Sequence, residues 1–129
     1  MAATIDDVAL IALGFPETTE GTRYRNRTWF VRDKAFAWER PFTKADIKRF
    51  GDATPPAGEI LAVRVDDLGE KEAVLQSGVA GFFTIPHFDG YAAVLVELDV
   101  ISERDLLVAL EDAWLASAPR ALADEYMSR

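Results

Sequence analysis

The 129-residue chain has no cysteine and a single histidine. Disulfides, thiolate nucleophiles and cysteine-based zinc sites are therefore excluded, and a reducing compartment suits such a composition. No apolar run reaches the ~18–20 residues a membrane-spanning helix needs. The opening residues, MAATIDDVALIALGF, lack a basic start and place Asp6 and Asp7 where a secretory leader would be apolar, so a cytoplasmic location is expected. The chain contains no Gly-x-Gly-x-x-Gly turn, no P-loop and no Gly-x-Ser-x-Gly elbow, so dinucleotide, triphosphate and serine-hydrolase chemistry have no support. Positive charge is in deficit as well: 14 Lys and Arg face 22 Asp and Glu, for a formal net charge of −8. That total argues against a general attraction to phosphate backbones.

The deficit is uneven. From Arg23 to Arg49 nine basic residues stand against three acidic ones, a net +6, which leaves −14 on the rest of the chain. Within that segment, "TRYRNRTWFVRDKAFAWERPF" interleaves arginines with Tyr24, Trp29, Phe30 and Trp38. Arginine grips phosphate and carboxylate groups and aromatic rings stack on planar ligands, so Arg23, Arg25, Arg27, Arg32 and Lys34 are candidate anion-binding or nucleic-acid-binding residues. A sheet with its aromatics in the core and its arginines in water would show the same alternation.

Half of the residues are hydrophobic, enough for one packed domain over residues 1–129, with no linker to divide it. Thr4 to Leu13 has a capping Thr, an acid three residues on and apolar residues at helical spacing; Thr43 to Phe50 repeats the same start. Arg27–Val31 and Ala35–Arg40 read as a hairpin around Arg32-Asp33-Lys34, with an extended piece near Thr18–Tyr24 before it. Alternation places Arg25, Arg27, Trp29 and Val31 on one face of the first arm. Glu59–Val65 reads as a strand and Leu68–Gln76 as a helix. Phe82–Ile85 and Ala92–Glu97 read as strands on either side of an Asp89-Gly90 turn, and helices follow Ser102 and Pro119. The fold class expected is α+β, an antiparallel sheet of about five to six strands with helices packed on one face.

The histidine lies in "FFTIPHFDGY", two residues before Asp89. A carboxylate can orient a histidine for acid–base work, but no nucleophile stands in a recognisable motif. One histidine and one carboxylate also fall short of a metal ligand set. His87 is therefore read as a turn residue and a contact rather than a catalyst. No catalytic residue, metal or cofactor is expected, and the protein is read as a non-enzyme.

With these segments in place, the chain resembles the MmcQ/YjbR family of small bacterial proteins. The matching stretches are "IALGFPETTEG", "FVRDKAFAWER", "LAVRVDDLGEKEAVL", "FFTIPHFDGYAAVLVELD" and "DAWLASAPRALADEY", in order along nearly the whole chain. The resemblance implies a double-wing α+β fold, related in shape to frataxin-like domains, and the DNA-binding label commonly attached to its members. Two functions remain open. One is a binding module whose basic hairpin contacts DNA or another anionic partner. The other is a small-ligand or protein-interaction domain, with a pocket between the sheet and the C-terminal helices near Trp38, His87, Tyr91 and Trp114.

Overall fold

The computed structural model describes residues 2–129. Its helices begin where a short polar side chain can accept from an unpaired backbone N–H. Thr4 and Asp7 form a reciprocal capping box at α1 (Ile5–Leu13), with bonds of 2.9 and 3.2 Å. Thr43 and Asp46 do the same at α2 (Lys44–Phe50), at 2.9 and 3.1 Å. Asp67 caps α3 (Leu68–Gln76), Ser102 caps α4 (Glu103–Ser117), and Pro119 precedes α5 (Arg120–Met127). None of these helices is long and apolar enough to cross a membrane.

The strands are β1 (Thr18–Arg23), β2 (Asn26–Val31), β3 (Lys34–Glu39), β4 (Ile60–Arg64), β5 (Phe82–Phe83) and β6 (Ala93–Glu97). They form one sheet in the order β1-β2-β3-β4-β6-β5, antiparallel at every pairing. The expected α+β class is therefore observed. β5 is shorter than the sequence suggests. Pro86 has no N–H to pair, and the N–H groups of Phe88 and Asp89 turn back to the carbonyls of Ile85 and Pro86, closing a 3-10 turn over Pro86–Phe88. His87 thus sits on a helical turn rather than in a hairpin bend.

Alternation holds along β2, with Trp29 and Val31 facing the helices and Thr28 and Phe30 on the other side. Arg25 is the exception. Tyr24 and Arg25 have φ of 51° and 67° and form the tight turn between β1 and β2, so Arg25 leaves the strand. A bulge in β3 shifts the register between Trp29 and Phe30 and turns both Phe36 and Ala37 toward the helices.

The helix-side core joins Trp29, Val31, Phe36, Leu61, Val63, Val94 and Val96 to Val8 and Ala12 of α1, Leu106, Leu110 and Trp114 of α4, and Leu122 of α5. The second face is also covered. Ile60, Ala62, Ala93 and Leu95 lie beneath Ile85 and Phe88, with Trp38, Phe42, Phe50 and Phe83 packed around them. The large helices thus occupy one face, and short α2 with the 3-10 turn closes part of the other.

Trp114 is fully enclosed between Phe15 and Tyr126 and donates its indole N–H to the Pro16 carbonyl at 3.1 Å. Trp114→Phe removes that donor and leaves a void. We expect a loss of about 2–4 kcal/mol in urea unfolding, with the second face of the sheet unperturbed in NMR spectra.

Candidate ligand cavity

The second face carries a cavity of about 680 Å3, built from four separate pieces of chain. β3 and the segment after it supply Trp38, Arg40 and Phe42; β4 ends on Arg64; the β1–β2 turn brings Arg23 and Tyr24; the segment around the 3-10 turn brings His87, Phe88 and Tyr91. No Asp or Glu lines it.

Arg64 is its centre. The Nε donates to the Ala35 carbonyl at 2.7 Å, which fixes the plane of the guanidinium. The group lies 5.7 Å from the Trp38 ring and 5.5 Å from the Tyr91 ring, and those rings are 6.3 Å apart. Among the described residues neither Nη has a hydrogen-bond partner and no carboxylate pairs with Arg64. Arg23 is likewise without a carboxylate and lies 5.0 Å over Phe30. Arg40 differs: its Nη1 bonds Asp46 at 2.9 Å and the Pro41 carbonyl at 2.6 Å, beside the Phe88 ring. Burial alone would raise the Asp46 carboxyl, but the Thr43 N–H and Arg40 outweigh it and hold it below its usual value.

The wall that carries His87 is tethered from the far side of the sheet. Lys71 of α3 is buried, and its Nζ donates to the carbonyls of Phe88 at 2.5 Å and Tyr91 at 2.8 Å. Burial pushes its pKa down, while Asp89 acts in the opposite sense. Sequence reasoning passed over this residue. The available signal was its place in a Lys71, Val74, Leu75 stripe, where a core-facing helix would carry an apolar side chain. His87 itself is exposed at the rim, its ring 6.1 Å from that of Phe88. Among the described residues no three His, Cys, Asp or Glu side chains are grouped to hold a metal.

Of the four residues expected to share a pocket, the structure brings Trp38, His87 and Tyr91 together. Trp114 is not with them. It lies in the helix-side core, so the cavity is on the face opposite the C-terminal helices. The basic hairpin is dispersed too. Arg23 and Arg25 stand at one end, near the cavity; Arg32, paired with Glu17 at 2.8 Å, and exposed Lys34 stand at the other, about 17 Å away along β2. Arg27 faces the helix side and is held by Glu20 at 2.9 Å and Asp6 at 2.8 Å. Arg40 and Arg64, which the hairpin argument omitted, complete the cation set instead.

A family model described as YjbR matches residues 13–116. The chain belongs to the YjbR family. It is also 44% identical to an uncharacterised protein of Mycobacterium tuberculosis, Rv2570, and to an uncharacterised protein of Mycobacterium bovis, Mb2600. Each alignment spans 98% of this chain and 97% of the relative. No solved structure matches the chain significantly.

The tether and the cap give two tests. Lys71→Met leaves the Phe88 and Tyr91 carbonyls without their charged donor; a loss of about 1–3 kcal/mol is expected, with faster amide exchange across residues 86–93. Because the folded-state pKa of Lys71 is depressed, the wild type should gain stability as pH rises toward the ordinary lysine value, and Lys71→Met should lose that gain. Asp46 works the other way. Its depressed pKa means its contribution is present above the ordinary aspartate value and fades as pH falls, and Asp46→Asn should cost about 1–3 kcal/mol at neutral pH.

Proposed function

We propose that this YjbR-family protein is a non-enzymatic binding module for a small anion with a planar apolar part, taken up in the second-face cavity. The observation that carries the reading is Arg64, a guanidinium fixed beside Trp38 and Tyr91 with neither Nη bonded among the described residues. A phosphate or carboxylate can accept from both Nη groups together, while the ring of the ligand stacks on the aromatic wall. The cavity volume of about 680 Å3 is within the range of small-molecule sites. In a chain of net charge −8, a recess whose lining holds Arg23 and Arg64 without a carboxylate pair among the described residues, Arg40 being neutralised by Asp46, draws anions selectively out of solution. No nucleophile–base pair accompanies these groups: Thr28 Oγ1 donates to the Asn26 carbonyl, and His87 has no hydrogen-bond partner among the described residues.

One observation favours a nucleic-acid version of the same site. Tyr24, flanked by Arg23 and Arg25, is 95% exposed at the cavity mouth, where it can stack on a base while the arginines meet phosphate. NMR titration with nucleoside monophosphates, aromatic carboxylates, inorganic phosphate and short single-stranded DNA separates these cases. An aromatic anion should shift the Trp38 indole and the amides around Tyr91. Arg64→Met should weaken it by more than about tenfold, and Arg32→Ala should leave it unchanged. A steep salt dependence with DNA alone would favour the oligonucleotide. Absence of shifts at Trp38 and Tyr91 with every anion would remove the proposal.

A further inference from the structure

A second cavity lies on the helix side of the sheet and is opposite in character. α3 packs over β5 and β6, while α4 packs over β3 and β4, and the two helices leave a groove of about 540 Å3 between them. Its floor is Val63, Val94 and Phe82; its walls include Val74 of α3 and Val108 of α4. Residues 70, 73, 74 and 77 line it from α3 and residues 105, 108, 109 and 112 from α4. That spacing means each helix turns one continuous face to the groove. Val108 remains 47% exposed although it borders an apolar floor.

Asp66, Glu70, Asp105 and Asp112 stand around this apolar interior. None of them forms an ion pair among the described residues. Asp105 accepts from the Ser102 hydroxyl at 2.8 Å as part of the α4 cap. The side chains of Asp66, Glu70 and Asp112 have no hydrogen-bond donor among the described residues. Burial, followed by the charges of Glu111 and Glu70, pushes the Asp112 carboxyl above its ordinary value. Arg64 also borders the groove, but its guanidinium is committed to the opposite face. The carboxylates therefore repel one another beside an apolar surface, with no cation paired to them among the described residues. They are not grouped to chelate a metal ion, which leaves an extended cation as the complementary partner.

We propose that the groove between α3 and α4 binds a small organic cation, an amine whose apolar body covers Val74, Val94 and Val108 while its ammonium meets Glu70 and Asp112. Like-charge repulsion falls when the ammonium arrives, and the hydrocarbon removed from water adds to the affinity. The inference does not depend on the anion cavity.

The test is an NMR titration of the full chain with phenethylammonium, set against phenethyl alcohol and phenylpropionate. Saturable shifts centred on Val74, Val94 and Val108, seen with the ammonium and weaker by about tenfold or more with the alcohol, are the expected result. Glu70→Gln combined with Asp112→Asn should abolish the preference for the ammonium over the alcohol. Val108→Trp, a change at a half-exposed helix position, should block the ligand by filling the groove even if the double variant folds poorly. Phenylpropionate should shift Trp38 and Tyr91 rather than Val108, which separates this groove from the anion site. Equal binding of the alcohol, shifts centred elsewhere, capture of a lysine-rich peptide but not the free amine, or no saturation at millimolar ammonium would each overturn the proposal.

Discussion

The fold depends on the pairing of β4 with β6. Leu61, Val63, Val94 and Val96 point to one side and Ile60, Ala62, Ala93 and Leu95 to the other, and all eight are buried. A strand pair apolar on both faces is unusual for an antiparallel sheet and must be covered twice. The helix side is covered by α1, α4 and α5 in the ordinary way. The other side has no comparable helix, so aromatic side chains from β3, α2, β5 and the 3-10 turn assemble the second cover. Side chains brought in by loops fill a surface less evenly than a helix does. The second-face cavity is the place where that cover ends, beside the last residue of β4.

The same strand pair separates charge. On its second face Arg64 lies beside two neighbouring rings, and on its helix face Glu70 and Asp112 flank an apolar groove, none of the three in an ion pair among the described residues. Both cavities border Arg64, so they share one end of β4 and differ in which side of the sheet they occupy. A low-dielectric slab of packed Val, Leu and Ala screens the two sets poorly, yet it prevents them from pairing directly. The net charge of −8 therefore describes neither surface. A property of this kind belongs to the fold and is invisible in any total.

Local features were legible in the sequence because local physics decides them. The Thr4–Asp7 and Thr43–Asp46 caps, the β2–β3 hairpin and the end of α3 each need only neighbours a few residues away. The side of the sheet was not legible. Where both faces of a strand are apolar, alternation no longer says which one meets the helices, and so Trp114 was grouped with Trp38 although the sheet lies between them. The arginines failed for a related reason. Arg27 finds Asp6 twenty-one residues away and Arg32 finds Glu17 fifteen away, so their charge is spent on partners that spacing cannot identify. Arg64, in an apolar strand, had no basic neighbours to draw notice, yet like Arg23 it has no carboxylate pair among the described residues.

"FFTIPHFDGY", the block on which the family resemblance leans most, also changes meaning. Four of its residues have a mechanical task at the cavity wall. Pro86 ends the pairing of β5 and starts the 3-10 turn, and Phe88 plugs the second core. Gly90, at φ 76°, makes the bend that returns the chain to β6, and Tyr91 presents its ring to Arg64. Lys71 then holds the segment by two of its carbonyls, through a buried side-chain donor. Charged hydrogen bonds of this kind are worth roughly 1.5–3 kcal/mol each, but desolvating the lysine offsets part of it. That cost makes sense if a fixed position for Phe88 and Tyr91 matters more than stability alone. His87, the residue that first suggests catalysis, is exposed at the rim of a cavity lined by arginine and aromatic side chains.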